Sequence, residues 1–552
     1  MHYFLKKEAL TPLLAVFASF IATAQEVLWE KSYGGKHAEL LLDAIPTPDY
    51  GFILAGSSIS NKNGKKTDKN KGDFDYWVWK MNDKGDLDWQ KSFGGTGLDL
   101  LQSIKLTSDG GFILAGTSAS PSPSKGEERD TDKKDACKGG SDFWIIKLDA
   151  KGNEIWQKTI GGNGQEKLQS VSQTADGGYI LGGSSSSDAM ENDAYGKKED
   201  SRGGLDYWIV KLDKNGTIAW QKTIGGIYSD ELKSVIPTKD GYLLGGYSNS
   251  PTSGDKLQDN IGIGDYWIVK VDLTGNLVWQ KTIGGDQDDN LYTLIPTKDG
   301  GFIAGGNSNS GATHSKTKEN EKGTDFWVVK FENDGNILWQ QTYNFGKTDV
   351  LNSIIENPDG TLLIGGYAQS EASRASASGN LVAEALEATK ATDKEGINDY
   401  IALKISDMGE VLWTKTIGSK GDEILNKLFE TRDGGYLLAG TSNGGNSRDK
   451  NSAIGGSDFW VVKLKDLTKP EKAKTTIEAL PNPVENFTNI IVNFDYSNGT
   501  ASLFDLNGRL LQEQKISGSH TIPFQLGNLP SGVYIVNIKT NTNEESIKII
   551  KK

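Results

Sequence analysis

Carboxylates stand at two regular places in this 552-residue chain. Glu39, Asp99, Glu166, Asp230, Asp289, Asp349 and Asp422 each precede one apolar segment, and Asp75, Asp142, Asp206, Asp265, Asp325, Asp399 and Asp458 each begin another. Two rows of acids on one face could hold cations or a basic partner. Short acidic side chains also accept hydrogen bonds from loop amides, and recurrence in every copy favours that structural use. If the two segments are strands of one sheet with a third between them, their carboxylates lie ~9–10 Å apart, too far to share an ion. Asp68, Asn70 and Asp73 approach an oxygen-rich calcium loop, but the glycine and distal glutamate of an EF-hand are out of place. Calcium is the one cofactor the sequence leaves open. Only His37 and His314 lie in the repeated part after the leader, in different copies, and no nucleophile motif accompanies them, so no catalytic residue can be named. The single cysteine, Cys137, can form no internal disulfide.

The elements that carry these acids repeat. A Trp recurs at 29, 89, 156, 220, 279, 339 and 413, in phrases such as "KLDAKGNEIWQKTIGG". A second, in Asp-Tyr/Phe-Trp, recurs at Trp77, Trp144, Trp208, Trp267, Trp327 and Trp460, with Asp399-Tyr400-Ile401 once in its place. A third phrase, like "DGGFILAG", lies between them. Each copy reads as four strands: alternating apolar and polar residues, rich in β-branched and aromatic types, between Gly-Asp turns. In the six internal copies a glycine stands four residues before the Trp of the fourth strand. That fixes the turn and so the register of the hairpin.

Seven copies of four antiparallel strands predict an all-β fold, a seven-bladed β-propeller over residues 25–466. Its ends support closure. The segment "EVLWEKSYGG" supplies only a fourth strand, and the last copy, ending "DFWVVKLK", lacks one. The first can complete the last blade and leave no open edge. The Trp residues are read as blade-to-blade packing, since a residue present in every blade suits a ring better than one local site. "LDAKGNEIW" is similar to the tryptophan-docking motif of quinoprotein propellers, but has one residue fewer between Asp149 and Gly152. The Ser-x-Asp-x-Gly-x-Thr-Trp order of the sialidase Asp-box is not reproduced either. Neither resemblance implies catalysis or a quinone.

The copy beginning near 349 departs most. Its glycine pair is eroded at Phe345-Gly346, Ile401 replaces a Trp, and its long loop holds "NLVAEALEATKATDK", 380–394, with the composition of a short helix. That insertion is a candidate partner-contacting element.

Residues 1–24 have the layout of a secretory signal peptide: Lys6 and Lys7, an apolar run from Leu10 to Ile21, then small residues, with cleavage expected between Ala24 and Gln25. No later segment is apolar enough to span a membrane as a helix. The net charge of -13 and the lack of a basic stripe exclude nucleic acid as the expected partner.

After a Lys- and Thr-rich linker, 467–478, the texture changes to a small β-sandwich, 479–552, with an Asn507-Gly508 turn. "PNPVENF", "FDLNGRLL", "LPSGVYIVNI" and the closing "IKIIKK" occur there in order. They resemble the C-terminal type A sorting domain of type IX secretion substrates. The residues carrying the resemblance include Pro481, Asn482, Pro483, Asp505, Gly508, Gly532, Tyr534 and Lys548. It implies Sec export, recognition by the outer-membrane translocon, usual cleavage of the domain, and release of the cargo or its attachment to surface lipopolysaccharide. The propeller resembles the repeat propellers such substrates carry, which implies fold and location but no ligand. The expected protein is a monomeric secreted or surface-attached binding or scaffold module that engages a protein or glycan through its loop face. An extracellular polysaccharide hydrolase or lyase, or a structural surface protein without a ligand, are the alternatives.

Overall fold

The computed structural model describes residues 25–121, 131–190, 192–321, 323–369, 398–469 and 475–552. The leader with Ala24, and the helix expected at 380–394, lie outside the described residues.

Seven four-stranded antiparallel sheets follow one another along the chain, six of them with their strands in consecutive order. Blade two is representative: Asp99–Leu106, Phe112–Ser118, Asp142–Leu148 and Glu154–Ile160. The seventh sheet joins Glu423–Glu430, Tyr436–Ser442 and Asp458–Asp466 to the N-terminal strand Gln25–Tyr33. This swap closes the ring, and Leu41 of blade one bonds across to Thr441 and Asn426 of blade seven. The first strand of every blade carries a bulge at one repeated place, as at Leu101/Ser103 and Leu168/Ser170. A bulge bends the strand and increases its twist, a shape suited to the crowded centre of the ring.

Aromatic side chains link one blade to the next. Tyr76 lies 4.7 Å from Trp144, and Phe143–Trp208, Tyr207–Trp267, Tyr266–Trp327, Tyr400–Trp460 and Phe459–Trp77 repeat the contact at 4.8 Å. All six of these indoles are fully buried. At the seventh junction Ile401 stands where the Trp would be, and Phe345 packs on Phe326 at 5.1 Å instead. The eroded glycine pair and the missing Trp of blade six are therefore one packing substitution.

The indole of Trp144 also donates to Gln157 Oε1 at 3.1 Å, and the same bond recurs at Trp77–Gln90, Trp208–Gln221, Trp267–Gln280 and Trp327–Gln340. Gln157 holds the long loop as well, donating to the Asp132 carbonyl and accepting from the Lys134 amide. In blade seven Glu30 of the N-terminal strand takes the role, accepting from Trp460 at 2.7 Å. The fourth-strand Trp29, Trp89, Trp156, Trp220, Trp279, Trp339 and Trp413 lie farther out. Trp89 packs beneath the turn of the next blade, where a Cβ on Gly152 would fall 2.8 Å from the ring. Gly152 has φ 79°, so the glycine serves both the turn and the close approach.

The C-terminal domain is a two-sheet sandwich. Ile477–Leu480, Phe487–Val492 and Thr521–Gln525 form one sheet. Leu510–Ile516, Gly499–Asp505, Gly532–Thr540 and Glu544–Lys551 form the other. Ile490, Leu503, Phe524 and Val536 pack between them. Its first strand begins at Ile477, inside the segment expected as linker, because Ile477 and Ala479 are buried in this core.

Candidate binding face

The long loops between second and third strands and the blade-to-blade connections share one end of the ring, the upper face. The carboxylate rows lie beneath it. Asp99 accepts from the Gly95 amide at 2.8 Å, a bond that the other blades repeat, and Asp75 accepts from the Lys71 amide at 2.8 Å, a bond that recurs at Asp142, Asp206, Asp265, Asp325 and Asp458. In the last blade the first-row acid is Glu423, bonded to the Ser419 amide, and not Asp422. The acid that counts lies five residues after the first glycine of the phrase. Asp422 is one residue early and accepts from Asn398.

The acids pair across blade junctions instead of within a blade. A Cβ on Gly284 would lie 1.8 Å from Asp265 Oδ1 and 2.9 Å from Asp289 Oδ2, and one on Gly34 would lie 2.2 Å from Asp458 and 2.5 Å from Glu39. The third-strand acid of one blade thus meets the first-strand acid of the next over a glycine that has no side chain to intrude. Burial, and then the neighbouring carboxylate, pushes Asp142, Asp265 and Asp399 up to about 6. A buried lysine stands near each described junction: Lys66, Lys133, Lys197, Lys256, Lys316 and Lys450. Each donates to loop carbonyls or hydroxyls, as Lys197 does to Ser187 and Ser201. The recurrence of this arrangement among the described loops marks its chemistry as structural.

The calcium candidates do not converge. Asp68 accepts from the Ser92 amide, and Asn70 turns its amide nitrogen to the carbonyls of Gly72 and Asp73. Among the described residues no three His, Cys, Asp or Glu side chains form a metal-binding group. Asn70 does line an open cleft of about 520 Å³ with His37, Asn61 and Gly456.

One polar cluster breaks the repeat. Asp43 lies 3.1 Å from Lys105 and 3.5 Å from Lys427, on the first strands of blades one, two and seven. Burial would raise Asp43, but the two ammonium groups outweigh it and hold the carboxyl below its ordinary value. Asp43 also accepts from Ser103 and the Ile104 amide. It is an ionised, fully engaged ion-pair centre that ties the ring closure, not a poised acid or base.

A second break in repetition was not anticipated. Ile227, Tyr228, Leu257 and Ile263 surround the upper loop of blade four and are 50%, 56%, 64% and 56% exposed. At the places of Ile227 and Tyr228 the next connection carries Asp286 and Gln287, and at that of Leu257 other loops carry Thr67, Lys134 or Thr317. Their backbones are pinned: Tyr228 and Ile227 donate to Ser250 and Ser253 hydroxyls at 3.0 and 3.1 Å, and Leu257 to Gln280 at 2.9 Å. Superposing the repeats in sequence would have exposed Ile227, Tyr228 and Leu257 as apolar where the pattern is polar.

In the C-terminal domain the motif residues come together. Asn482, between Pro481 and Pro483, donates to the Lys548 carbonyl at 2.7 Å and accepts from Ile550 at 2.9 Å, fastening the first turn to the last strand. Asp505 caps its turn by accepting from Asn507 and Arg509, with Gly508 at φ 77°. Tyr534 donates to the Pro530 carbonyl at 2.7 Å. Gly532 opens the strand beside it, exposed and with open space around it.

Residues 478–552 match the secretion system C-terminal sorting domain. A wider stretch is 23% identical over 395 residues to the regulatory protein FlaEY of Caulobacter vibrioides, covering 67% of this chain and 39% of that protein. Among solved structures, a fungal alcohol oxidase in complex with copper matches at 10% identity, with 96% of this chain and 100% of that chain covered and a TM-score of 0.46. The plexin A4 extracellular region matches at 8% identity, 94% and 66% coverage and a TM-score of 0.40. Likeness this distant transfers no chemistry. The sorting domain gives the route: the chain is a type IX secretion substrate, secreted or attached to the outer face of the outer membrane.

Proposed function

We propose that this secreted propeller is a non-catalytic recognition module whose upper face engages a protein or glycan, with the apolar group around blade four as its anchor. The observation that carries the reading is the departure of Ile227, Tyr228 and Leu257 from an otherwise polar repeat, on backbone held by loop hydroxyls and amides, with Ile263 exposed on the same blade. Exposed aromatic and aliphatic side chains in fixed positions lose little entropy when covered, and a tyrosine offers an apolar ring with a polar tip. Binding of the secreted chain to a panel of glycans and surface proteins tests this. Tyr228→Ala should weaken binding at least about tenfold, as loss of an interface anchor does. Undiminished binding by Tyr228→Ala and Ile227→Ser together would remove the reading. Deletion of the 380–394 insertion, read from the sequence as a partner-contacting element, provides an independent arm.

A further inference from the structure

The lower face, where first strands turn into second strands, bears a built contact with the C-terminal domain. Five blades place a glycine at the left-handed position of that turn: Gly110, Gly177, Gly300, Gly360 and Gly434, with φ between 81° and 91°. Blade one places Tyr50 there, at φ 63°. A bulky side chain in this region is strained and persists only where its surroundings hold it. Tyr50 is held from the other domain. Its hydroxyl donates to Glu478 Oε1 at 2.6 Å, and the Arg432 guanidinium lies 4.2 Å over its ring. Arg432, from the corresponding turn of blade seven, pairs with Glu478 and donates to the Pro48 carbonyl. Beside them Thr521 donates to Asp49 at 2.9 Å, and Phe487 packs where a Cβ on Gly110 would come within 2.8 Å of its ring.

Glu478, Phe487 and Thr521 all belong to the three-stranded sheet of the sandwich. Asp505, Tyr534 and Lys548 lie on the opposite, four-stranded sheet, where Leu510, Ile535 and Ile550, and Leu506 in the adjoining turn, are exposed. We propose that the propeller is a presenting platform for its own sorting domain: the Tyr50–Arg432–Glu478 latch docks the three-stranded sheet and leaves the motif-bearing sheet facing outward to the secretion machinery. The latch breaks the repeat at Tyr50, Arg432 comes from a variable position of the same turn in blade seven, and both groups meet the C-terminal domain.

Hydrogen exchange on residues 25–552, purified with the sorting domain still attached, tests the latch. Tyr50→Gly restores the residue of the other blades, so the ring should unfold at the same temperature or higher. Exchange in 477–492 should nevertheless rise about tenfold, as expected when a charged hydrogen bond no longer holds a segment. Arg432→Glu and Glu478→Arg should each reproduce the rise, and the double exchange of charges should reverse most of it. Unchanged exchange at 477–492 in all three single variants would overturn the proposal. So would a rise spread equally over upper-face segments, which would mark general loosening instead of undocking.

Discussion

The Trp-Gln pair shows how a single side chain organises a blade. Gln157 accepts from the Trp144 indole and the Lys134 amide and donates to the Asp132 carbonyl, so one amide satisfies three partners away from water. Replacing Gln157 with Leu leaves a buried indole nitrogen and loop groups without partners, at about 1–3 kcal/mol each before relaxation. A net loss of about 2–3 kcal/mol in urea unfolding is expected. Blade six provides the control. There Ile401 and Thr414 replace the Trp and the Gln together, so Thr414→Gln restores an acceptor with no indole to meet it. That variant should fall within about 0.5 kcal/mol of the parent, as surface changes without partners do. A comparable destabilisation by both variants would contradict the clamp. The paired replacement also explains why blade six looked anomalous as text: its changes compensate one another inside the core.

At the scale of the element, ring closure rests on one strand of nine residues, Gln25–Tyr33. Glu30 accepts from Trp460 and from Asn451, and Tyr33 reaches the Gly85 carbonyl of blade one at 2.7 Å. Starting the chain at residue 35 would bare the edge of Asp458–Asp466, with its row of unpaired backbone groups, and an unprotected edge recruits other chains. Such a truncation should associate in light scattering, whereas Glu30→Gln, which keeps the acceptor, should remain as the parent is. A monodisperse truncated protein would count against strand exchange as the closure. The strand was legible because a ring leaves an arithmetic remainder: one orphan at the start and one vacancy at the end. Blade number, turns and the motif-bearing sandwich were legible for the same reason, since periodicity and tight-turn chemistry are local. The carboxylate pairs were not. Spacing within one blade separates the two rows, and only the fold brings Asp265 to Asp289 across a junction. The latch was equally hidden, because Tyr50 and Glu478 are 428 residues apart. Its one local sign was a Tyr where the other copies write Gly.

For the whole molecule, the seven junctions make folding stability depend on pH in an unusual direction. Burial raises Asp75 to about 7 and Asp142, Asp206, Asp265, Asp325 and Asp399 to about 6. A carboxyl whose folded value exceeds its unfolded value of about 4 binds its proton more tightly in the folded chain. Its contribution is complete below about pH 4 and is lost as pH rises through about 6 to 7. Other acids act oppositely: Lys330 and Thr297 hold Asp299 at about 2, and the Asn276 amide and Thr274 hold Asp272 there. Those contributions are present above about pH 4 and fade as pH falls towards 2. Lys197 and Lys256, lowered by burial to about 8, restore stability only as pH climbs from there towards the unfolded lysine range. The unfolding midpoint should therefore peak near about pH 4 and reach a trough near about pH 7 to 8, the reverse of the usual preference for neutrality. Thermal unfolding across this range reads it directly. Asp75→Asn removes the carboxyl raised to about 7 and should flatten the fall between about pH 5 and 8, while leaving the acid limb as it was. A midpoint that climbs steadily from pH 4 to 7 in the parent would mean that the junction lysines neutralise the pairs fully, and that both carboxylates of each pair stay ionised in the folded ring.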